Sequence, residues 1–200
     1  DIARRYRYML GQSRFNWGLL NIALPYSATL AFSMVSPFLI ERSYGYSPQT
    51  TGWAALLMGL AWMTGGFVAR WQLATSLLAK HRRAFAVMLL AAGLMLLVSL
   101  RYANLYTLLI FAFVVHAGSG MMFNIYFTEC LGMFPQFAGL SGGLVGGVAF
   151  MLTSLLSYGA VTALQVDSQV LLALVYVLFA LGLGGTAWLA SQHTKNTIKT

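Results

Sequence analysis

The stretch SPFLIERSYGYSPQTTGW, residues 36–53, is a short polar interruption between two long apolar runs. Its turn-forming and charged residues are Pro37, Glu41, Arg42, Gly45 and Pro48. Glycine permits a tight turn, and proline in the first turn of a helix loses no hydrogen bond, because the N–H it lacks would have no partner there. Ser47 is a suitable N-cap for that helix. The pattern predicts a hairpin between two membrane-spanning helices.

The composition is typical of a membrane protein. Hydrophobic residues make up 59% of the 200 residues and charged residues 8%, whereas about a quarter of a soluble domain is charged. The 20 glycines fit this class, since small residues are favoured where membrane helices touch. We expect an all-α integral membrane protein in contact with lipid. In a membrane protein the formal net charge of +8 is informative through its distribution among the loops, and no nucleic-acid partner is expected.

Six apolar runs approach or exceed the roughly 20 residues that a spanning helix needs. The predicted spans are residues 17–40, 49–69, 84–100, 105–127, 137–164 and 170–190. Residues 1–16 are polar and Arg-rich and have no apolar core of a signal peptide. We expect them to be the end of a cytoplasmic linker in a fragment of a longer chain, and residues 191–200 to be a cytoplasmic tail.

The basic residues predict the orientation of these spans. One side would carry Arg4, Arg5, Arg7, Arg14, Arg70, Lys80, Arg82, Arg83, Lys195 and Lys199, and the other side only Arg42 and Arg101. The positive-inside rule places both termini in the cytoplasm. This alternation requires an even number of spans, which favours six.

Two spans have polar faces. In span one, Asn21, Tyr26, Thr29, Ser33 and Ser36 fall within an arc of roughly 140°. In span four, His116, Ser119, Gly120, Phe123 and Phe127 share a face, with Asn124 at its margin. Spans three and six are almost uniformly apolar and are expected to face lipid. The pattern predicts two inverted three-helix repeats whose first helices line a central path.

The candidate substrate-cavity residues come from these two faces. They are Asn21, Tyr26, Thr29, Phe32, Ser33, His116, Ser119, Phe123 and Asn124. His116 is the one titratable group well inside a span, and such groups are often functional. It is either a proton relay or substrate contact, or a neutral imidazole bonded to a nearby carbonyl or to Ser119. Several methionines and aromatic residues either form an adaptable apolar pocket or are ordinary packing: Met34, Met58, Met63, Met121, Met122, Trp53, Trp62, Phe32 and Phe123.

Span five opens with a run of glycines at helical spacing. They are Gly139, Gly142, Gly143, Gly146 and Gly147. Small residues every four positions let two helix backbones approach closely. The contact is either static packing or a surface that slides during a conformational change, and Gly65 and Gly66 raise the same question.

The sequence lacks the motifs of an enzyme or cofactor site. His81, His116 and His193 are widely separated and Cys130 is the only cysteine, so no metal site is expected. There is no phosphate-binding loop and no evident nucleophile–base pair. Glu129 is expected to be a solvated or ion-paired carboxylate at the end of span four. We expect neither catalysis nor a cofactor.

Two blocks of the sequence resemble the Bcr/CflA drug-resistance transporters of the major facilitator superfamily. The first block contains Ser36-Pro37-Phe38, Tyr44-Gly45, Ser47-Pro48 and Gly52. The second, residues 118–147, matches at Gly118, Gly120, Met121, Met122, Phe123, Phe134, Pro135, Ala138 and Gly139. The chain departs from the family at Asn124-Ile125, where the family has Pro-Asn, and at Glu129-Cys130, where the family is more apolar.

The resemblance implies the C-terminal six-helix half of a twelve-helix transporter in a bacterial inner membrane. The implied function is proton-coupled export of small amphipathic compounds or drugs by alternating access. Its partners would be the missing N-terminal half, small-molecule substrates and protons, with the coupling acid in the other half. Two alternatives stay open: an exporter of one metabolite or siderophore, and a membrane-assembly or signalling domain that transports nothing.

Overall fold

In the computed structural model, the backbone is described for residues 2–197 and the side chains for residues 2–186, 188 and 189. This part of the chain is helical, with no strand. The helices are α1 (Ile2–Leu10), α2 (Ser13–Phe38), α3 (Pro48–Trp71), α4 (Leu77–Ser99), α5 (Leu105–Met133), α6 (Ala138–Ala163) and α7 (Gln169–Thr197). Six of them, α2 to α7, are long and apolar enough to cross a membrane.

The helices extend beyond the apolar runs that predicted them. Helix α4 begins at Leu77, where Ser76 accepts a hydrogen bond from the Ala79 N–H at 3.4 Å, so Lys80 lies inside the helix rather than in a loop. Residues 2–10, expected in a linker, form a helix whose Met9 is buried. The predicted tail overlaps the end of α7. The side chains of residues 190–197 and all of residues 198–200, including Lys195 and Lys199, lie outside the described residues.

The hairpin after α2 has the predicted turn and an additional distortion. Gly45 has a φ of +73°, and Pro48 starts α3. Residues Leu39–Ser43 form a π-helical turn, in which the Tyr44 N–H donates to the Leu39 carbonyl at 2.9 Å. The Thr51 hydroxyl donates to the Glu41 carboxylate at 2.9 Å, so a side-chain bond also closes the hairpin.

A hydrogen-bonded network joins three helix ends beside this hairpin. The Tyr44 hydroxyl donates to Gln169 Oε1 at 2.5 Å, and Gln169 Nε2 donates to the Thr107 hydroxyl at 3.0 Å. Thr107 also forms a capping box with Asn104 at the start of α5. Burial raises the pKa of Tyr44 to about 12, so its hydroxyl keeps the proton that it donates. The end of α2 is thereby fixed to the starts of α5 and α7.

The opposite end of the bundle gathers the basic residues. Arg14, at the start of α2, pairs with Glu129 near the end of α5. The Arg5 guanidinium stacks 4.4 Å from the ring centre of Phe137. His81 Nε2 donates to the Leu183 carbonyl at 2.8 Å, and its Nδ1 accepts from the Tyr126 hydroxyl at 2.6 Å. The Arg14–Glu129 pair at this end and the Tyr44–Gln169–Thr107 network at the other require α2 and α5 to run in opposite directions.

The helix packing repeats between the two halves of the bundle. Helix α2 packs against α5, α6 and α7, while α5 packs against α2, α3 and α4. Helix α4 packs against α7. Exchanging α2, α3 and α4 for α5, α6 and α7 leaves these pairs unchanged.

The sixth span is more buried in the bundle than its uniformly apolar sequence predicts. Half of the apolar stretch of α7 is buried, compared with 33% for α4 and 22% for α6. Tyr176 and Leu183 are among its fully buried side chains. The sequence did not indicate this face because an apolar residue suits both a protein interior and a lipid surface.

Helices α3 and α5 cross with their backbones in direct contact. A Cβ at Gly65 would overlap the Ala117 carbonyl oxygen and lie 2.6 Å from the Met121 nitrogen, and a Cβ at Gly120 would overlap the Trp62 carbonyl oxygen. The contact is reciprocal, since each helix contributes a glycine against the other's backbone. By contrast, a Cβ added at Gly139, Gly143, Gly146 or Gly147 would meet no described residue within 4 Å outside its own helical turn.

We predict that Gly120→Ala destabilises the bundle and that Gly59→Ala does not. The added methyl group at position 120 meets backbone, which cannot move aside, and such overpacking lowers the free energy of unfolding by about 1–3 kcal/mol. A Cβ added at Gly59 would meet no described residue within 4 Å outside its own helical turn, and alanine is a better helix former than glycine. Unfolding of the two variants in mixed micelles, followed by circular dichroism, measures the difference. Equal stability would contradict this account of the crossing.

Candidate functional site

A cavity of about 400 Å³ lies between α2 and α3, with one residue of α5 in its wall. We call it the α2–α3 cavity. From α2 it is lined by Tyr26, Thr29, Phe32, Ser33, Ser36 and Pro37. These residues lie at positions i, i+3, i+4 and i+7 or i+8, which puts them on one face of the helix. Ser33 is exposed, so the cavity reaches the surface of the chain.

The α3 wall of the cavity combines aromatic, thioether and hydroxyl groups. It contains Thr51, Ala55, Met58, Gly59 and Trp62. The Trp62 ring lies 5.0 Å from Tyr26 and 5.5 Å from Phe123, measured between ring centres. Tyr26 also lies 5.5 Å from Phe150 of α6. An aromatic cluster therefore joins α2, α3, α5 and α6 at one edge of the cavity.

His116 is the α5 contribution to the α2–α3 cavity. It is 1% exposed, and its Nδ1 lies 2.8 Å from the Ala112 carbonyl oxygen. Its ring stands edge-to-face against Phe32, with ring centres 5.1 Å apart and an angle of 83°. Nε2 is buried and makes no hydrogen bond to any described residue. The bond to a nearby carbonyl was one of the two predicted roles, and the free nitrogen leaves the other role open.

The wall of the α2–α3 cavity has no formal charge. No Asp, Glu, Lys or Arg is among the described residues that line it. The nearest link to an acid is Thr51, whose hydroxyl donates to Glu41. Nor do the described residues contain a group of three His, Cys, Asp or Glu side chains that could hold a metal ion. The cavity is suited to binding an uncharged or amphipathic molecule.

Two of the nine predicted cavity residues are buried between helices. Asn21 Oδ1 accepts a hydrogen bond from Thr186 of α7 at 2.6 Å, and Asn21 is 5% exposed. The Ser119 hydroxyl is fully buried and lies 2.7 Å from the Pro25 carbonyl oxygen and 2.9 Å from that of Val115. Both side chains bond helix to helix, so neither lines the α2–α3 cavity.

Phe123 and Asn124 line two other cavities. Phe123 lies with Phe127 in the wall of an apolar cavity of about 310 Å³ that also touches Gly142 and Gly146. Asn124 lines a cavity of about 650 Å³, which we call the basic cavity because its wall includes Arg14, Arg70 and Lys80 with Glu129. The structure therefore brings together Tyr26, Thr29, Phe32, Ser33 and His116. Phe123 lies in the adjoining aromatic cluster, with its ring centre 6.0 Å from that of Tyr26, and Asn21, Ser119 and Asn124 lie elsewhere.

A Cβ added to the glycines of α6 would meet almost no described residue outside the same helix. Gly142 lies closest to a neighbour, with its added Cβ 3.5 Å from Leu131. The surface of α6 that carries these glycines is open. The predicted close approach of a second helix to it therefore stays a prediction, which another chain or segment would have to fulfil. Cys130 is fully buried against Gly18, as an apolar filler would be.

The sequence did not single out Thr51, Ala55 and Gly59 as cavity residues. They lie on α3, whose polar residues are too few to mark a face. The spacing of Thr51, Ala55, Met58, Gly59 and Trp62 follows one side of a helix, and this was the available signal. It could not be used without knowing which side of α3 meets α2.

No protein-family model, curated protein or solved structure matches this chain. Both walls of the α2–α3 cavity carry uncharged polar groups and aromatic rings, and Ser33 in the α2 wall is exposed. Such a combination provides shape and orientation for a small molecule.

We predict that Ser33→Cys reacts with a water-soluble maleimide roughly tenfold faster than Asn21→Cys or Ser119→Cys, because thiol reactivity requires access. The native Cys130 is buried, so the parent chain provides the background rate. Labelling in lipid nanodiscs followed by mass spectrometry measures the three rates. Similar rates at all three positions would contradict the placement of Asn21 and Ser119 between helices.

Proposed function

We propose that this chain is one half of a membrane transporter that exports small amphipathic compounds in exchange for protons. In this proposal α2 to α7 correspond to the six C-terminal helices of a major facilitator transporter. The observation that carries it is the α2–α3 cavity, which is uncharged, lined by aromatic and hydroxyl side chains and open at Ser33.

The repeated packing supports the proposed architecture. Many secondary transporters consist of inverted repeats, with the substrate site near their interface. Exchange of the two triplets preserves the most extensive helix pairs of this bundle. The first helices of the triplets, α2 and α5, both line the cavity. An assembly or signalling domain has no need of such a cavity.

The exposed faces of α3 and α6 support the proposal that a further set of helices packs against this bundle. Helices α3 and α6 are the least buried of the six, at 28% and 22% of their apolar stretches. Glycines are concentrated on the open surface of α6, where a second set of helices could approach closely. An N-terminal six-helix half is the partner that the proposal requires.

The proposed orientation places the basic end of the bundle in the cytoplasm of a bacterial inner membrane. Arg14, Arg70 and Lys80 share one cavity at that end, and the positive-inside rule assigns it to the cytoplasmic side. Both ends of the described chain would then be cytoplasmic. The Glu41 hairpin and the Tyr44–Gln169–Thr107 network would face outward.

Proton coupling is energetically sufficient for export. One proton entering down a potential of 100 mV releases ~2.3 kcal/mol. At ~1.4 kcal/mol for each factor of ten, this sustains a concentration ratio of roughly fiftyfold for an uncharged solute exchanged for one proton. The coupling acid would belong to the other half, and no residue of this chain is assigned that role.

A narrow exporter of one metabolite or siderophore is the second candidate. The polar face formed by Thr29, Ser33, Ser36 and Thr51 provides hydrogen-bonding groups that could recognise one compound. The two candidate functions differ in the range of compounds exported. Aromatic packing tolerates many ligands, whereas paired hydrogen bonds discriminate among them.

We predict that cells expressing the complete protein accumulate less of several unrelated dyes and antibiotics, and that a protonophore abolishes the difference. Trp62→Ala should remove most of the effect, because it deletes the ring shared by the cavity and the aromatic cluster. Trp53→Ala is the matched control, since Trp53 lies on the same helix, outside the cavity, and is 62% exposed.

Accumulation assays with fluorescent and radiolabelled compounds, normalised to protein level in the membrane, measure both effects. Export of a single compound would favour the narrow exporter. Unchanged accumulation of the whole panel, with the protein present in the membrane, would count against the multidrug proposal, and equal effects of the two tryptophan variants would remove the cavity from it.

A further inference from the structure

Two unpaired polar atoms belong to residues in the wall of the α2–α3 cavity. Four buried side-chain polar atoms make no hydrogen bond to any described residue. Two of them, Thr29 Oγ1 and His116 Nε2, belong to cavity residues, and the other two, on Ser99 and Tyr176, do not. Buried polar groups in proteins are nearly always paired, with protein, water or ligand. Both atoms are buried, so a partner in the cavity pairs with them after a small shift of the wall side chains.

The hydrogen bond at Nδ1 fixes what His116 can offer a ligand. A carbonyl oxygen only accepts, so Nδ1, 2.8 Å from the Ala112 carbonyl oxygen, carries the proton. A neutral imidazole has one N–H, which makes Nε2 a hydrogen-bond acceptor. Nε2 is also on the far side of the ring from its attachment to α5. Its partner must therefore be a donor, approaching from outside that helix.

The surroundings of His116 favour its neutral form. The titratable side chain that shares the cavity wall is Tyr26, on α2, and Glu41 is linked to the wall through Thr51. No charged side chain among the described residues lines the cavity beside the imidazole. A buried imidazolium without an anionic partner is unfavourable, and a cationic ligand would likewise find no carboxylate in this wall.

We propose that the α2–α3 cavity binds an uncharged aromatic compound whose hydroxyl or N–H group donates a hydrogen bond to His116 Nε2. The aromatic ring of the ligand packs against Phe32, Met58 and Trp62, which supply the apolar part of the wall. The Thr29 hydroxyl, on the same face of α2 as Phe32, provides a second polar contact. This inference rests on the transport proposal and narrows its substrate to neutral donor-bearing compounds.

The test compares two probes that differ in one hydrogen-bond donor. 1-Naphthol carries a hydroxyl, and 1-methoxynaphthalene has the same rings without the donor. Isothermal titration of the full-length protein in lipid nanodiscs, with empty nanodiscs as the partition control, should give roughly tenfold tighter binding of 1-naphthol, the effect of one hydrogen bond. His116→Phe should abolish this preference, and Tyr106→Phe, which changes an exposed tyrosine of the same helix, should retain it.

A second measurement avoids dependence on the folding of His116→Phe. The chain has three histidines, so ¹⁵N-histidine labelling gives few imidazole signals, and His116→Gln identifies those of His116. The unprotonated Nε2 signal should shift on addition of 1-naphthol and remain unchanged with 1-methoxynaphthalene. A protonated Nε2 in the free protein would overturn the assignment of this atom as an acceptor.

Equal affinity for the two probes, absence of saturable binding of either, or an unperturbed His116 signal would each overturn the inference. These results are independent of transport. If the panel compounds are exported but donors are not preferred, the transporter proposal stands without this binding mode. If 1-naphthol binds through His116 and nothing is exported, the binding mode stands and the transporter proposal fails.

Discussion

The backbone contact between α3 and α5 positions the candidate site. Gly65 and Gly120 have no side chain, so each helix lies directly against the backbone of the other. Trp62 is one of the residues at this contact, and its ring joins the aromatic cluster at the edge of the α2–α3 cavity. The other α3 residues of the cavity wall lie on the N-terminal side of Trp62 in the same helix. Any side chain at position 120 would separate the helices and move that wall.

The buried hydroxyl groups of the bundle are mostly bonded to helix backbones. Ser27 and Ser157 each bond the carbonyl four residues earlier, at 2.7 and 2.8 Å, and Ser119 bonds carbonyls of two helices. In a membrane interior the backbone must be satisfied within the protein, and short polar side chains contribute to this. Polar residues in the spans are therefore mostly structural. Thr29 and His116 differ, because each lines the cavity and has a buried side-chain polar atom with no hydrogen bond to a described residue.

The two ends of the bundle are constructed differently. One end is fixed by uncharged hydrogen bonds through Tyr44, Gln169 and Thr107, while the other carries the ion pair of Arg14 with Glu129 and the basic cavity. Hydrogen bonds between buried uncharged groups do not weaken as ionic strength rises, whereas salt screens ion pairs that are exposed to solvent. In an alternating-access mechanism these two ends would be the gates, and they would differ in sensitivity to salt.

The sequence by itself determined the number of long apolar helices, the glycine turn at residue 45 and the clustering of basic residues at one end. These follow from local rules of length, backbone conformation and charge. The tertiary structure decided which polar residues share a cavity: Thr29, Ser33 and His116 meet Thr51 and Trp62, while Asn21 and Ser119 of the same helical faces are buried against α7 and α2. It also decided that α7 is half buried and that the close helix contact uses Gly65 and Gly120. Sequence patterns identify the face of one helix, but in an apolar chain a neighbouring helix and lipid favour the same residues, so only packing distinguishes them.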